Sequence, residues 1–362
     1  MTEVLEGRQP QEQTAQSAAA GESEPYLVVE NLTVQFPTHD GLVQAVSDLS
    51  YTVSLGETLG IVGESGSGKS VSSMAVLGLH NVKRTHMTGS IRVDGKEIVG
   101  ASDATMRKIR GNDIAMIFQD PLTALHPFYT IGKQIVEAYR LHHNVNKKTA
   151  RKRAVEMLEL VGIPQPDRRV DDYPHQFSGG MRQRAMIAMS LVNDPKLLIA
   201  DEPTTALDVT VQAQILDLIQ ELQKEFGSAI VMITHDLGVI AEVADTVLVM
   251  YGGRAVEKGT CREILTHPEM PYTWGLLGSV ADVSGDISKP LVPIPGTPPS
   301  LLNPPTGCAF HPRCVHKDKV PDGRCNTDLP DLRAGRSPHH LTRCHLPDPD
   351  AIYETEVKEV IG

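Results

Sequence analysis

The chain has 362 residues, of which 40% are hydrophobic and 22% are charged, and its formal net charge is −11. This acidic balance argues against nonspecific binding to nucleic acid, which needs a basic surface, and five cysteines are too few for a disulfide scaffold at this length. No stretch approaches the roughly 18 uncharged apolar residues of a membrane span, and no secretory signal is visible, so we expect a protein that stays in the cytoplasm.

The first 25 residues differ in composition from the rest of the chain. They are rich in Glu, Gln, Ala, Ser and Gly and carry almost no large apolar side chain. Such a segment cannot bury enough surface to become ordered, so we predict a disordered arm over residues 1–25. The pattern then changes, and strands are predicted at 27–29, 32–36 and 43–53.

A glycine-rich segment fits the phosphate-loop pattern G-x-x-x-x-G-K-[ST]. It consists of Gly63, Glu64, Ser65, Gly66, Ser67, Gly68, Lys69 and Ser70. A predicted strand at 58–62 precedes it and a predicted helix at 71–77 follows, which disfavours a chance glycine-rich turn. Its backbone N–H groups can converge on phosphate oxygens. Lys69 can reach the β- and γ-phosphates, and the Ser70 hydroxyl can bind Mg²⁺.

Strands and helices alternate after the phosphate loop. Strands are predicted at 90–96, 114–118, 197–200, 229–233 and 246–250, and helices at 131–141, 149–161, 182–192 and 211–226. This alternation indicates an α/β fold with a largely parallel sheet and helices on its faces. Between 121 and 190 helical spacing dominates, so we predict an inserted helical subdomain there.

Polar residues follow three of the predicted strands. Asp201 and Glu202 end the strand at 197–200, Gln119 follows the strand at 114–118, and His235 lies just beyond the strand at 229–233. Such strand ends line the ligand crevice of an open α/β sheet. Asp201 can hold Mg²⁺, and Glu202 can polarise an attacking water. Taken one at a time, each could instead be an ordinary solvated or structural side chain.

A second anion-binding element is predicted near residue 178. Ser178, Gly179, Gly180 and Met181 precede a helix, where backbone N–H groups and the helix dipole attract negative charge. Since the chain already has one phosphate loop, this element suggests a second nucleotide or the nucleotide of a partner. The alternative is an ordinary Ser-Gly-Gly helix cap.

Together these residues, in this order, resemble the ATP-binding subunit of an ABC transporter over roughly residues 26–265. The resemblance assigns residues 63–70 to the Walker A loop, Gln119 to the Q-loop and residues 178–181 to the signature. It assigns residues 197–201 to Walker B, Glu202 to the catalytic base and residues 205–208, which end in Asp208, to the D-loop. His235 is the implied switch histidine, and Phe36 is the implied A-loop aromatic residue that stacks on adenine. The departures are small: Phe177 and Met181 replace the usual Leu and Gln of the signature, and Phe36 stands where Tyr is commoner.

The resemblance implies a P-loop NTPase core with an antiparallel β edge and an inserted helical subdomain. It further implies a head-to-tail dimer, in which the Walker A loop of one chain and the signature of the other enclose each ATP. Ser70, Gln119 and Asp201 are the implied Mg²⁺ ligands. Because Lys69, Glu202 and His235 are all present, we expect hydrolysis rather than binding alone.

The chain beyond Thr266 is rich in Pro, Gly, His and Cys. Residues 293–301 and 307–314 resemble the C-terminal extension of oligopeptide/dipeptide importer ATPases, and residues 267–277 and 120–127 also fit that family. We therefore predict an extension over 266–350 and an acidic tail over 351–362. Residues 121–130, after the Q-loop, are the implied docking surface for a membrane subunit.

This family places the chain peripherally on the inner face of the membrane. The implied partners are two membrane-spanning permease subunits, a second and non-identical ATP-binding subunit and, indirectly, an extracytoplasmic solute-binding protein, with no nucleic acid. The expected cargo is a di- or oligopeptide; nickel or another small solute is the alternative. A soluble ABC ATPase acting on DNA or ribosomes is a rival that the acidic charge disfavours.

Four of the five cysteines lie in the extension, at Cys308, Cys314, Cys325 and Cys344. Gathered cytoplasmic thiols bind metal more often than they form disulfides. Their spacing is not the paired C-x-x-C of a zinc ribbon, and the family resemblance favours a [4Fe–4S] cluster. Zinc, and reduced or disulfide-linked thiols, are the alternatives.

Overall fold

The computed structural model describes residues 24–205, 207–279 and 293–361, so the predicted arm at 1–25 lies almost entirely outside it. The strands of the described residues are β1 (Leu27–Thr38), β2 (Gly41–Val53), β3 (Thr58–Val62), β4 (His86–Val93), β5 (Lys96–Glu97), β6 (Ile114–Ile117), β7 (Leu197–Asp201), β8 (Ala229–Thr234), β9 (Thr246–Tyr251), β10 (Arg254–Thr260), β11 (Arg333–Ala334) and β12 (Leu341–Thr342).

The α-helices of the same residues are α1 (Lys69–Val76), α2 (Asp103–Ile109), α3 (Pro121–Ala124), α4 (Ile131–His142), α5 (Lys147–Leu160), α6 (Pro166–Arg169), α7 (Gly179–Leu191), α8 (Val209–Phe226), α9 (Leu237–Val243), α10 (Cys261–Thr266), α11 (Pro271–Gly278), α12 (Arg324–Thr327), α13 (Pro349–Ile352) and α14 (Lys358–Ile361). Short 3₁₀ turns occupy Val82–Arg84, Pro174–Gln176, Lys317–Lys319 and Pro321–Gly323, and a π-helical turn occupies Tyr353–Val357.

The larger sheet has the strand order β11-β12-β10-β9-β3-β8-β7-β6. The strands from β9 to β6 run parallel, while β10, β11 and β12 add an antiparallel edge. Every residue of β3, β6, β7 and β8 is buried. Continuous apolar strands of this kind are typical of a parallel sheet that is covered on both faces.

Because neighbouring strands are parallel, their carboxyl ends meet at one edge of the sheet. Val62 at the end of β3 pairs with Thr234 at the end of β8, and Asp201 at the end of β7 pairs with Ile233. The phosphate loop, the acidic pair and His235 therefore leave the sheet from three adjacent strands.

A second, antiparallel sheet has the order β2-β1-β4-β5. Its buried side chains, such as Leu27, Val46 and Ile91, share one apolar core with Leu59 and Ile61 of β3. The phosphate loop is thus attached to a strand that is packed from both sides.

The predicted α/β fold with an antiparallel edge is confirmed. The strand at 58–62 has the predicted bounds, whereas the two strands predicted at 27–29 and 32–36 are one strand, β1, with a register shift near Asn31. Helix α7 begins at Gly179 rather than at 182, because the Ser178 side chain caps it. Strand β10 was not predicted, since the charges of Glu257 and Lys258 obscure its pattern.

Helices α4, α5 and α7 pack together within the block predicted to be helical, residues 121–190. Their buried side chains include Ile131, Ile135, Met157 and Leu158. Gly132 is required at the contact with the segment after α6, because a Cβ there would lie 2.5 Å from the carbonyl oxygen of Val170.

The C-terminal extension packs on the edge of the larger sheet. Glu257 and Lys258 of β10 pair with Thr342 and Leu341 of β12, and the N–H of Arg343 donates to the carbonyl oxygen of Val256. Residues far beyond 266 therefore complete the sheet that carries the phosphate loop.

A buried polar cluster fastens this edge. His340 is fully buried, and its Nε2 lies 2.8 Å from Oε1 of the equally buried Glu257. Its Nδ1 lies 3.7 Å from Oε1 of Glu269, which also accepts a hydrogen bond from the N–H of Arg336. Burial lowers the pKa of His340, but the hydrogen bond to Glu257 and the nearby carboxylates raise it more, so the net pKa is above its ordinary value. Burial likewise raises the pKa of Glu269.

Folding of this cluster takes up protons, because His340 and Glu269 both have a higher pKa in the folded chain than in the unfolded one. The stability from His340 is fully present below its unfolded pKa of about 6.5 and is lost as the pH rises through the folded value. We therefore expect the urea unfolding midpoint to fall as the pH rises above about 6.5, and His340→Gln to flatten this dependence.

His339→Gln is the matched control, because His339 is the exposed neighbour of the same type. Its unfolding midpoint should follow the pH as the wild type does. The same pH dependence in the wild type and in His340→Gln would contradict the role given to the buried histidine.

Candidate nucleotide-binding site

Two glycines of the phosphate loop have no substitute. Gly63 has φ +151°, and a Cβ there would lie 2.2 Å from the carbonyl oxygen of Met250. Gly68 has φ +101°, and its Cβ would lie 2.4 Å from the carbonyl oxygen of Ala45. The loop can therefore curl between β3 and α1 only because both positions lack a side chain.

Lys69 is held inside the curl of its own loop. Its Nζ donates to the carbonyl oxygens of Gly63, at 2.5 Å, and Glu64, at 3.0 Å. Burial lowers the pKa of Lys69, while the charges of Glu202, Asp201 and Glu64 oppose that shift. The ammonium group is thus a confined cation whose present partners are neutral carbonyl groups that an anion can replace.

The cavity over the loop fits a nucleoside triphosphate. Its volume is about 860 Å³. The loop residues 63–70 line it together with Gln119, Glu202, Thr205 and His235. Among the described residues, the buried Ser67 hydroxyl has no hydrogen-bond partner. Buried polar groups are normally paired, so this hydroxyl is an unused donor beside the phosphate position.

Ser70 and Asp201 offer oxygen ligands for Mg²⁺. The Ser70 hydroxyl donates to Oδ1 of Asp201 at 3.1 Å. Burial raises the pKa of Asp201, and the hydrogen bond from Ser70 opposes that shift. A hydroxyl and a carboxylate side by side are the hard oxygen donors that Mg²⁺ prefers.

Three side chains hold the carboxylate of Glu202. Gln119 Nε2 donates to Oε2 at 2.8 Å, the Thr205 hydroxyl donates to Oε2 at 3.0 Å, and His235 Nδ1 lies 3.0 Å from Oε1. Glu202 also has φ +48°, a left-handed conformation that is strained for a residue with a side chain. Gln119, Glu202 and His235 are therefore brought together as the sequence suggested, and the contact of Thr205 is an addition.

The predicted signature residues lie elsewhere. Ser178 caps α7 by accepting a hydrogen bond from the N–H of Met181 at 3.3 Å, and a Cβ on Gly179 would meet nothing within 4 Å. None of the four signature residues is among those lining the cavity. Ser178 and Gly179 are exposed, whereas Gly180 and Met181 are half-buried.

Three other predicted nucleotide-site residues are also outside the cavity lining, namely Asp201, which bonds to the lining residue Ser70, Asp208 and Phe36. Asp208 caps α8, where its Oδ1 accepts a hydrogen bond from the N–H of Val211 at 2.9 Å. The ring of Phe36 packs edge-on against His80, with centroids 5.4 Å apart.

The C-terminal extension contributes residues that sequence reasoning missed. Leu276, Ser279, Pro298 and Leu301 line the same cavity as the phosphate loop. The carbonyl oxygen of Leu301 accepts a hydrogen bond from the N–H of Gln44 at 2.9 Å, which holds this segment beside β2. No local pattern marks these four residues as site residues, because their position follows from the path of the chain.

The four extension cysteines are free thiols near one another. Cys308, Cys325 and Cys344 are buried and Cys314 is half-buried. Burial raises the pKa of Cys314 and Cys344 to about 12. In the described ranges, no three or more His, Cys, Asp or Glu side chains are placed to hold a metal ion. Neither the [4Fe–4S] prediction nor the zinc alternative is confirmed by this arrangement.

Two protein-family models match the chain. The model described as ABC transporter matches residues 46–205, and the model described as oligopeptide/dipeptide transporter, C-terminal region, matches residues 256–320. The first match holds the phosphate loop and Glu202, and the second holds Arg313 and the first two extension cysteines.

Curated relatives are about half identical to this chain. The oligopeptide transport ATP-binding protein OppD of Bacillus subtilis is 53% identical over 295 residues, which cover 81% of this chain and 82% of OppD. The dipeptide transport ATP-binding protein DppD of Bacillus subtilis is 51% identical over 328 residues, covering 90% and 96%. OppD of Salmonella typhimurium is 49% identical over 321 residues, covering 89% and 93%.

Solved structures share the fold of the core. The ATP-binding cassette MJ0796, in a dimeric post-hydrolysis state bound to ADP and Pi, has a TM-score of 0.59 and 27% identity, with 65% of this chain and 99% of that chain covered. CbiO1 of Clostridium perfringens has a TM-score of 0.57 and 30% identity, with 67% and 91% covered. By these matches, the chain belongs to the ABC transporter ATP-binding proteins that carry the oligopeptide/dipeptide transporter C-terminal region.

Proposed function

We propose that this chain is the ATP-hydrolysing subunit that powers import of di- or oligopeptides through a membrane transporter. The observation that carries hydrolysis is the carboxylate of Glu202, which three side chains hold at the wall of the phosphate-loop cavity. The peptide cargo rests on the names of the half-identical relatives.

The phosphate loop binds the triphosphate. Its backbone N–H groups, the Ser67 hydroxyl and the Lys69 ammonium contact the β- and γ-phosphate oxygens, since the loop curls around them and Lys69 is confined there. The other backbone N–H groups of the loop that face the phosphates are those of Gly63, Ser65, Gly66 and Gly68. Ser70, Asp201 and Gln119 would hold Mg²⁺, which would supply positive charge beside the phosphates. The family resemblance assigns Phe36 to stacking on the adenine, although its ring lies outside the cavity lining and against His80 in this structure.

Glu202 acts on the water that attacks the γ-phosphorus. Its Oε atoms orient the water and accept its proton as the new P–O bond forms and the bond to the β–γ bridging oxygen breaks. His235, on the other side of the Glu202 carboxylate, contacts the γ-phosphate and keeps the carboxylate in place. Gln119, bonded to the same carboxylate, reports whether the phosphate is present.

The site is completed by a second ATP-binding subunit, which we propose to be non-identical. The signature, Ser178–Met181, lies at the N-terminus of α7 and has room for a phosphate at Gly179. The dimeric structure of the cassette MJ0796 supports the pairing of two ATP-binding subunits. Asp208, in the D-loop, lies at the same subunit boundary.

The surface that receives the permease subunits is residues 121–130. Three of its apolar side chains are exposed: Leu122 at 58%, Phe128 at 81% and Tyr129 at 51%. Exposed apolar patches commonly mark protein interfaces. No helix in the described ranges is long and apolar enough to cross a membrane. We place the chain peripherally on the cytoplasmic face of the membrane, with two permeases and, through them, an extracytoplasmic solute-binding protein.

The domain organisation that goes with this function is an ATP-binding domain at 26–265, its helical subdomain at 121–190, the extension at 266–350 and an acidic tail at 351–362. Nucleic acid is not a partner, in line with the net charge of −11.

We further propose that the extension cysteines bind a [4Fe–4S] cluster. The residue types suit this group, because a [4Fe–4S] cluster is held by four cysteine thiolates. Backbone N–H groups, which favour thiolates, face three of the sulfurs: those of Phe310 and His311 at Cys308, of His316 and Lys317 at Cys314, and of Leu346 at Cys344.

Glu202→Gln should reduce ATP hydrolysis by the transporter, reconstituted in vesicles with its permeases and binding protein, by about 10²-fold or more. ATP binding should survive, because the amide keeps hydrogen-bonding capacity toward Gln119, Thr205 and His235. ATP-dependent uptake of labelled peptide should fall with hydrolysis. Glu221→Gln, on the exposed face of α8, is the control. Unchanged hydrolysis in Glu202→Gln would rule out Glu202 as the base.

Phe128→Ala should weaken co-purification of the chain with its permeases, because it removes the most exposed apolar side chain of the 121–130 surface. ATP binding by the isolated chain should not change. Val82→Ala is the matched control, since Val82 is 88% exposed and lies outside this surface. Equal co-purification of both variants would place the permease contact elsewhere.

The chain purified without oxygen should contain about four irons and about four sulfides per molecule. Cys344→Ser should lose most of this iron, whereas Cys261→Ser should retain it, because Cys261 lies outside the extension cysteines. A colourless wild-type protein without iron would exclude the cluster.

A further inference from the structure

An arginine of the C-terminal extension reaches the phosphate loop. Arg313 Nη1 donates to Oε2 of Glu64 at 2.6 Å, and Nη2 donates to Oε1 at 3.0 Å. Glu64 is the second residue of the loop, so this two-pronged ion pair joins segments that are 249 residues apart in the sequence. The Arg313 side chain is only 5% exposed, and that of Glu64 is 27% exposed. Shielding from water makes such a charge-assisted pair stronger than a surface salt bridge.

The guanidinium group is fixed from several sides. Its Nε donates to the carbonyl oxygen of Pro295 at 2.7 Å, and Nη1 also donates to the hydroxyl of Tyr251 at 3.3 Å. Its central carbon lies 5.8 Å from the ring centre of Tyr251 and 5.9 Å from that of Phe310. These contacts leave Arg313 little freedom, so it can act as a fixed support for the carboxylate.

The backbone of Glu64 is held as well. Its N–H donates to the hydroxyl of Tyr272 at 2.7 Å. Tyr272 packs against Tyr251 and Phe310, with ring centres 4.5 Å and 5.4 Å away. Both the main chain and the side chain of this loop residue are therefore bound by groups outside the loop.

The charge of Glu64 is a problem for a phosphate-binding loop. Glu64 lines the cavity, and its carboxylate is near enough to Lys69 to favour the ammonium form. An unpaired carboxylate there would repel the triphosphate and draw Lys69 away from it. The Arg313 side chain offsets this repulsion by pairing with both oxygens of the carboxylate.

We infer that Arg313 is a positioning residue for the phosphate loop: it holds and neutralises Glu64 so that the loop accepts the triphosphate. This inference rests on the proposed function, because it takes Gly63–Ser70 as the ATP site. It assigns the C-terminal extension a direct part in nucleotide binding, through a residue that does not touch the nucleotide.

The test is ATP and ADP binding by the full chain with Mg²⁺, measured by calorimetry. Arg313→Gln should weaken ATP binding by about tenfold or more, because a bare carboxylate then faces the phosphates. ADP should lose less than ATP, since it carries less charge, and added salt should shrink the loss. Glu64→Gln in the same chain as Arg313→Gln should restore most of the ATP affinity.

Two further variants make the result specific. Glu64→Gln alone should bind ATP at least as tightly as the wild type, because it removes the carboxylate and keeps Arg313; this comparison also serves if Arg313→Gln does not fold. Arg324→Gln is the matched control, since Arg324 forms an exposed pair with Asp328 in the same extension, and it should bind ATP like the wild type.

The inference fails if Arg313→Gln binds ATP like the wild type, if the double variant stays as weak as Arg313→Gln, or if Glu64→Gln alone loses affinity tenfold. Failure of the proposed function looks different. In that case the wild type itself does not bind ATP, or Lys69→Ala binds it equally well, whatever the state of the Arg313 pair.

Discussion

The parallel alignment of β3, β8 and β7 is the constraint on which the site depends. Since these strands end at the same edge, the phosphate loop begins directly after β3, Asp201 is the last residue of β7, and Glu202 and His235 each follow a strand by one residue. The loop, Glu202 and His235 therefore line one cavity. Each strand ends where its buried apolar residues end, and this end determines the position of the polar residues that follow. The positions of the catalytic side chains therefore depend on how the core packs, and a shift of one strand would misplace several functional groups.

Charge balance is the second feature of the site. The carboxylates of Asp201, Glu202 and Glu64 all favour the ammonium form of Lys69, and each carboxylate has its own neutral or cationic partner. Ser70 bonds to Asp201, Gln119 and Thr205 bond to Glu202, and Arg313 bonds to Glu64. The carboxylates are thus held by groups other than Lys69, which stays on loop carbonyls that a phosphate can displace. The backbone of Glu202 is strained as well, so the surrounding structure must hold this residue in position.

Short-range patterns predicted most of the fold and the core of the site. The phosphate loop, the apolar strand before Asp201 and the capping serine at 178 each carry a local signature, and the structure shows strands and a cap at these places. Contacts between distant segments had no such signature. Arg313 is one of many arginines in the sequence, and Leu301 is one of many leucines; only the folded path of the extension brings them to the loop and the cavity. The sequence pattern does not predict strand β10, because Glu257 is a charged residue in a buried strand and its partner, His340, lies 83 residues away.

That same edge has a consequence for biosynthesis. The N-terminal part of the chain, through β10, leaves the ribosome well before β12 does, so the larger sheet is first built with an unpaired outer strand. Unpaired edges are the places where nascent chains stick to one another. Glu257 and Lys258 put two charges on this strand and discourage such pairing until Thr342, Leu341 and His340 arrive. The last part of the chain to be made therefore closes the sheet, and a ribosome that stops early releases a core whose edge is still open.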